Sequence, residues 1–423
     1  VIKTALTDTA PVSHHVLLAM LTLVGVVNYL DRQILGLLLP LIKAEFHLSD
    51  TALGLLAGPT FALIYGLMGI PLALLADRGN RRTIIAASLV LFSLTTLACG
   101  LATNFLQLIC ARFGTGMGEA GITPAVNAVI SDLYAPRHRT GALAVYSASG
   151  NIGMLLAFFG GGLIAQHWGW RAAFVLAGLL GFAVVLAFLL MVREPARRHA
   201  VPVKPSLLAT LRLLWTRRAF RFIAAGTGLV SISGYSALAF VPSFLVRSHH
   251  MTPATVGLTL ALMVGIFGLA GTMLPGLLAD RFGRGDVRWG LYAAVLGIAC
   301  AMPFHPVFFL ANDLHIALAA MVVPSFFAST FLGPSYAAVQ GLAPPGMRAQ
   351  AAALLLLILT LVGLGLGPQL VGIASDLLQP RFGADALRYA LLIAVMPSIL
   401  AAWCFWQATR TLPKEIAITE LMT

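Results

Sequence analysis

Asp31, Arg32, Arg112 and Glu119 are ionisable residues set inside otherwise strongly apolar runs of a 423-residue chain. A charge in hydrocarbon is costly enough to be kept mostly where it faces a polar interior or a transport route, so these four point to the coupling site of a membrane transporter. Arg112 and Glu119 are seven positions apart, close to two helical turns, and project from nearly the same face of one helix. Asp31 and Arg32 are adjacent and point about 100° apart, so only part of that doublet can face one partner directly. The simplest arrangement sets Arg32 or Asp31 against the fourth span, with Glu119 deeper in the bilayer than Arg112; the spacing leaves the pairs open. A buried carboxylate is pulled two ways, towards its neutral form by desolvation and towards its charged form by a nearby arginine. Protonating Glu119 or Asp31 would free the arginine to bind an anion, and the anion would in turn alter the carboxylate's affinity for a proton. Glu119 is the expected main proton carrier and Asp31 the second, the alternative being a static buried ion-pair network. Asn28, Tyr29 and Gln33 add polarity beside the doublet, as do Asn127 and Asn151 further on, either lining a cavity or bonding helix to helix.

The elements that must hold these side chains are membrane spans. The chain is 59% hydrophobic and 10% charged, with mean hydropathy +0.92, whereas a soluble domain carries about 25% charged residues. Apolar runs of about 20 residues, the length that crosses a bilayer core, recur from Val16 to Gln407. Twelve are expected, near 16–40, 52–76, 83–103, 107–130, 139–164, 170–192, 220–245, 254–279, 288–310, 314–340, 349–374 and 384–408. The apolar stretch from His15 to Pro40 is too long for a signal-peptide core and reads as the first span. The formal net charge of +12 is not a nucleic-acid footprint, because the arginines collect on alternate loops, as at Arg78, Arg81 and Arg82, at Arg137 and Arg139, and from Arg193 to Arg221. This positive-inside pattern places both termini and the long central loop in the cytoplasm.

The stretch 193–219, rich in Arg and Pro, divides the chain into a six-helix bundle at 1–192, a cytoplasmic linker and a second six-helix bundle at 220–423. The loops after spans two and eight repeat an acidic-basic turn, Asp77-Arg78-Gly79-Asn80-Arg81-Arg82 and Asp280-Arg281-Phe282-Gly283-Arg284. Internal repeats rocking about a midplane site are a common transporter plan. Asp77, Arg78, Arg82, Asp280, Arg281 and Arg284 are expected to form a cytoplasmic latch, acid beside base and helix end; ordinary topogenic charge is the alternative. Gly363, Gly365, Gly367 and Pro368 interrupt span eleven, where the helix is expected to bend or slide, or simply to pack closely.

The second half offers hydroxyls and no interior charge to match: Ser231, Ser233, Tyr235 and Ser236 in span seven, and Ser325, Ser329, Thr330, Ser335 and Tyr336 in span ten. One charged wall and one weakly polar wall suit an amphiphile, its headgroup near Arg32 and its hydrocarbon towards Phe240, Phe244, Phe326, Phe327 and Phe331. An enzyme would need a catalytic constellation, and the ten histidines lie near loops and helix ends without one. No metal-ligand spacing links Cys99, Cys110, Cys300 and Cys404, which read as small hydrophobes. No cofactor is expected beyond protons as coupling ion, and no nucleic acid; the partners are an amphiphilic small molecule and membrane lipids, and a folded monomer is expected. A drug or metabolite exporter is the competing transport function.

Asn28-Tyr-Leu-Asp31-Arg32-Gln33, the loop around Asp77-Arg-Gly-Asn-Arg-Arg82 and Arg112-Phe-Gly-Thr-Gly-Met-Gly-Glu119-Ala-Gly together resemble the major facilitator superfamily and, within it, the spinster lipid transporters. The resemblance covers essentially the whole chain and implies an all-α integral-membrane fold of twelve transmembrane helices in two bundles. It also implies lysolipid transport, since animal members move sphingosine-1-phosphate or lysophospholipids and bacterial members look like proton-coupled relatives, here of the inner membrane. By motif, Asp31 and Arg32 match the family's first-helix doublet, Arg112 and Glu119 its fourth-helix pair, and Asp77 with Arg78 its inter-helix latch. Glu119 and Arg32 would be the coupling and headgroup residues. Ala73 stands where the usual loop motif has glycine, and Gly79-Asn80 alters the order before the basic pair.

Overall fold

The computed structural model describes residues 14–194, 206–273, 281 and 286–421. Among the described residues all regular structure is helical, as an apolar chain requires where hydrocarbon offers no water to its backbone groups. The first half runs α1 (His14–Phe46), α2 (Asp50–Ala57), α3 (Pro59–Arg78), α4 (Arg81–Leu101), α5 (Phe105–Ala120), α6 (Ile122–Leu133) and α7 (Pro136–Met191). A short α8 (Leu207–Thr216) leads into α9 (Arg218–His249), α10 (Pro253–Leu260), α11 (Trp289–Ala301), α12 (Phe304–Leu310), α13 (Leu314–Phe327) and α14 (Leu332–Gly341). The chain closes with α15 (Arg348–Ile358), α16 (Gly367–Phe382), α17 (Ala386–Val395) and α18 (Pro397–Leu421). Helix starts carry their own signals: Ser49, Asn80, Asn104, Thr252 and Asp313 each accept a backbone N–H of the following turn, satisfying a donor the helix itself leaves open.

Nine helical runs among the described residues are long and apolar enough to cross a membrane. Two of them, of 55 and 77 residues, far exceed the roughly 20 that one crossing needs. The first folds back at Gly169, whose φ of +81° suits a residue without Cβ, and the second near Gly383, with φ of +55°. With α5 and α6 as a further crossing in two pieces, the arrangement fits the twelve expected. The sequence reading did not see the breaks inside spans, at Gly58 between α2 and α3 and at Gly121 between α5 and α6. The interruption expected in span eleven takes the form of a π-helical turn over Leu359–Leu366, between α15 and α16.

The linker stretch also differs from its reading as a plain break. Residues 195–205 lie outside those described, but α8 falls within it, capped by Ser206. Leu207, Leu211 and Leu214, spaced for one helical face, dock on a second-half core built around Phe220, Leu355 and Phe405. The first half has its own core around Leu21, Leu89, Phe92, Ile122 and Phe188. A third and larger cluster joins the halves, bringing Leu38 of α1, Leu56 of α2 and Phe158 of α7 against Phe240 and Phe244 of α9. It gathers towards the membrane edge at which α1 and α9 end. There α7 and α10 touch backbone to backbone: a Cβ on Gly257 would fall on the Phe158 carbonyl, the close approach by which helices associate in lipid. Leu94 and Leu101 of α4 and Leu179, Leu186 and Leu190 of α7 remain exposed, as hydrocarbon-facing helix surfaces do.

Candidate functional site

The four embedded charges meet as two crossed pairs. Arg32 of α1 donates through Nε and Nη2 to one oxygen of Glu119, at 3.0 and 2.7 Å. Asp31, pointing the other way from α1, faces Arg112, with Oδ2 and Nη1 3.9 Å apart, beyond hydrogen-bond distance. Adjacent residues on α1 are thus matched to residues seven apart on α5, which resolves the pairing that spacing left open. Glu119 is fully buried, Asp31 and Arg112 nearly so, and the Arg32 side chain retains 15% exposure. Asp31 also accepts a 2.6 Å hydrogen bond from Thr96 Oγ1 of α4.

The pairs are incompletely satisfied. Among the described residues Glu119 Oε1, Asp31 Oδ2, Arg112 Nε and Nη1 and Asn28 Nδ2 are buried without a hydrogen-bond partner. Such groups are expensive where water is excluded, and here five collect in one place. Aromatic faces supply part of the compensation. The Phe61 centroid is 5.0 Å from the Arg32 guanidinium and 5.2 Å from that of Arg112, with Tyr65 at 4.8 Å and Tyr29 at 5.6 Å from Arg32. Ring quadrupoles attract cations at these distances. Phe61 and Tyr65 sit on α3 beside Leu364 of the π-helical turn and Tyr235 of α9, so the site reaches the junction of the halves. Thr96, Phe61 and Tyr65 were missed from sequence, because each is ordinary in an apolar helix; a period-four aromatic pair beside a charged helix was the available signal.

Several expected cavity residues lie elsewhere. Phe240 and Phe244 are fully buried in the core joining the halves, with Phe308 and Phe309 centroids 5.4 and 5.5 Å from Phe244, and Phe331 packs on Phe405 within the second half. They are core, not an open hydrocarbon wall; Phe326 and Phe327 are half-buried. Ser233 bonds Ser398 and the Ala394 carbonyl, both at 2.8 Å, fastening α9 to its own half. Tyr235 is a second-half hydroxyl residue that approaches the charges, beside Phe61 and Tyr65, while Asn28 is buried on α1 and Asn127 is exposed. Among the described residues the second half does hold one buried cation, Arg388, 3.1 Å from Asn312 Oδ1 and 3.4 Å from Asp385. It sits in the first turn of α17, within the apolar run expected at 384–408, and so corrects the expectation that the second half carries no interior charge.

The loop after α3 is engaged within the first half. Buried Arg81 pairs with Asp132 of α6 and donates to the Ala76 and Ala128 carbonyls, each at 3.2 Å. Glu194 accepts the backbone N–H of Arg81 and of Arg82 at 3.0 and 2.7 Å, and the Arg82 side chain reaches the Leu189 carbonyl at 2.6 Å. Of the other latch residues, Asp280 and Arg284 and the side chains of Asp77 and Arg78 lie outside what is described, and Arg281 is exposed.

A second charged cluster, unforeseen from sequence, ties the halves together where α1 and α9 end. Asp50, at the start of α2, accepts from Lys43 at 2.5 Å, from two nitrogens of Arg247 at 2.8 Å each, and from Ser375 Oγ at 2.6 Å. In return Asp376 of α16 accepts the backbone N–H of Asp50 and of Thr51, at 2.9 and 2.7 Å, capping α2 from the opposite half.

The Major Facilitator Superfamily model matches residues 21–368. An MFS-type efflux pump of Mycolicibacterium smegmatis is 34% identical over 94% of this chain and 93% of its own length. Human protein spinster homolog 1 is 26% identical, over 95% of this chain and 81% of that protein. A crystal structure described as a bacterial homolog to the human lysosomal transporter spinster, inward-facing and unoccupied, aligns with a TM-score of 0.86 at 29% identity, covering 96% of this chain and 99% of that one.

Proposed function

This chain belongs to the Major Facilitator Superfamily, and on that premise we propose that it is a proton-coupled, alternating-access transporter of amphipathic lysolipids, with sphingosine-1-phosphate or lysophospholipids as substrates. One observation carries the reading: Arg32 is held by a single oxygen of Glu119 while keeping part of its own surface open. A proton on Glu119 removes the charge that holds the guanidinium, which then turns to a phosphate headgroup, a partner it can bind in bidentate fashion. Headgroup binding and proton binding compete for Arg32, so each changes the affinity for the other, which is the thermodynamic content of coupling. Asp31 with Arg112 forms the second, looser pair and the reserve proton site. Asn28 and Tyr29 border the pocket, and the family resemblance supplies the lipid class.

In this reading both termini are cytoplasmic, the membrane is a bacterial inner membrane and one chain is the transporting unit; the basic residues on alternate loops support the orientation. The Asp50 cluster then closes the outside, the same sense as the inward-facing state described for the bacterial spinster homologue. The arginine-rich turns at Asp77–Arg82 and Asp280–Arg284 are assigned to the cytoplasmic closure of the opposite state. A broad-specificity exporter is the second reading, favoured by the 34% identical efflux pump.

The test is uptake of labelled sphingosine-1-phosphate and lysophosphatidylcholine by proteoliposomes of the purified protein, with and without an imposed pH gradient. Gradient-accelerated uptake of either is the expected result. Failure of both, with gradient-driven movement of structurally unrelated organic cations, replaces the lysolipid reading with the exporter.

A further inference from the structure

α8 is ten residues long and two-faced. One face is fixed to the protein: Leu214 is fully buried beside Phe220, and Thr210 hydrogen-bonds Gln350 of α15. The other face presents Leu208, Arg212 and Trp215, at i, i+4 and i+7, with Leu208 and Trp215 more than half exposed. The depth of this face follows from its neighbours. Gln350 is in the first turn of α15, and Arg217 alone separates α8 from α9, so α8 lies at the level where two membrane-crossing helices begin. That level is the headgroup region, where tryptophan concentrates because its ring is apolar on its faces and carries one N–H.

Exposed arginines crowd this level. Arg218 and Arg221 are exposed on the first turn of α9, where the Trp215 ring of α8 meets Phe220 edge-on, centroids 6.4 Å apart, and Arg212 is exposed one turn before Trp215. Among the described residues Arg212 and Arg221 have no carboxylate partner. Glu415 of α18, a carboxylate that reaches this turn, is engaged by backbone, accepting the N–H of Arg218 at 2.9 Å and of Ala219 at 3.1 Å. A shallow, mostly apolar concavity is lined by Leu211, Arg212, Trp215 and Thr216. Uncompensated cations next to exposed Leu and Trp at headgroup depth fit one chemistry, a negatively charged phosphate above acyl chains.

We propose that the exposed face of α8 and the first turn of α9 form a binding site for an anionic phospholipid of the bilayer, separate from the transport site around Arg32. The headgroup phosphate is bound by Arg212 and Arg221, and the upper acyl chain lies along Leu208 and Trp215. A site here anchors the segment joining the two halves to the membrane surface, so the lipid bears on how they move relative to each other.

The experiment is lipid retention by the purified full-length protein in native mass spectrometry, offered equimolar phosphatidylglycerol and phosphatidylcholine. The wild type should retain phosphatidylglycerol in preference by about tenfold, and Arg212→Gln with Arg221→Gln should bring the ratio close to parity, whereas Arg381→Gln, exposed at the opposite edge, should leave it unchanged. A second measurement does not depend on the folding of the charge variants: brominated phosphatidylglycerol should quench wild-type tryptophan fluorescence more than brominated phosphatidylcholine, and Trp215→Phe should abolish that difference. No preference in the wild type, a preference unaltered by the double variant, or equal quenching by the two brominated lipids would each overturn the proposal.

Discussion

Two clusters of charge sit at different levels of this molecule, one in mid-helix and one at an edge, and are built on opposite rules. Around Asp50 the partners are within 2.9 Å and every carboxylate oxygen is engaged, by Lys43, Arg247 and Ser375 on one side and through Asp376 on the other. Around Glu119 one pair is tight, the other stands 3.9 Å apart, and five buried polar atoms have no partner. The saturated cluster joins residues of different halves, so its bonds form or break as the halves move. The unsaturated one lies between α1, α4 and α5 of a single half, which would hold it in place through the changes of protonation and ligand that the proposed mechanism requires. Satisfaction suits a clasp, and its absence suits a site that must accept something.

Breaking the clasp is the most disruptive test of that contrast. Asp50→Ala leaves Lys43 and Arg247 facing each other, and removal of one partner from a buried ion pair costs about 3–5 kcal/mol. A two-state equilibrium should then move more than about a hundredfold towards opening at that edge. Spin labels at Ala44→Cys and Gln379→Cys, one on each half, should show longer distances in the variant; an unchanged distribution would mean that apolar packing alone keeps the edge shut.

Glu119→Gln tests the other cluster. It keeps the shape and removes the titrating group, so gradient acceleration of transport should fall by about 5–150-fold, the usual span of coupling between two sites. Acceleration that survives intact would assign the proton to another residue. Phe61→Leu removes the ring shared by Arg32 and Arg112 and should lower stability by about 1–2 kcal/mol, read as a lower unfolding temperature of the purified protein. Thr96→Val is the mildest change, deleting a single hydrogen bond to Asp31 worth about 1 kcal/mol. Its gradient response should stay within about twofold of the wild type if Asp31 is the reserve site and not the main one.

Much of this was legible in the chain. Span positions follow from runs of apolar residues, since in hydrocarbon the backbone must bond to itself and helix length tracks bilayer thickness. The Arg32–Glu119 partnership was within reach because charges are few in these segments and each narrows the choice for the others. What stayed hidden depends on distance in sequence. Asp50 lies 197 residues from Arg247 and 326 from Asp376, and Asp50 and Arg247, near helix ends, look like common capping or topogenic charge. The destination of Phe240 and Phe244 was misread for a related reason: a phenylalanine in an apolar helix carries no mark of whether its neighbour is a cavity or a second helix. The breaks at Gly58 and Gly121 were likewise invisible among many glycines that serve only close packing.

The cap that Asp376 places on α2 has one more consequence. Its two acceptor oxygens belong to one half and the two amides they hold, at Asp50 and Thr51, to the other. Each time the halves part at that edge, those amides lose their acceptors and become free to trade hydrogen with solvent. Their exchange rate is therefore a clock built into the backbone, and it reads the fraction of time that this door stands ajar without any label attached to the protein.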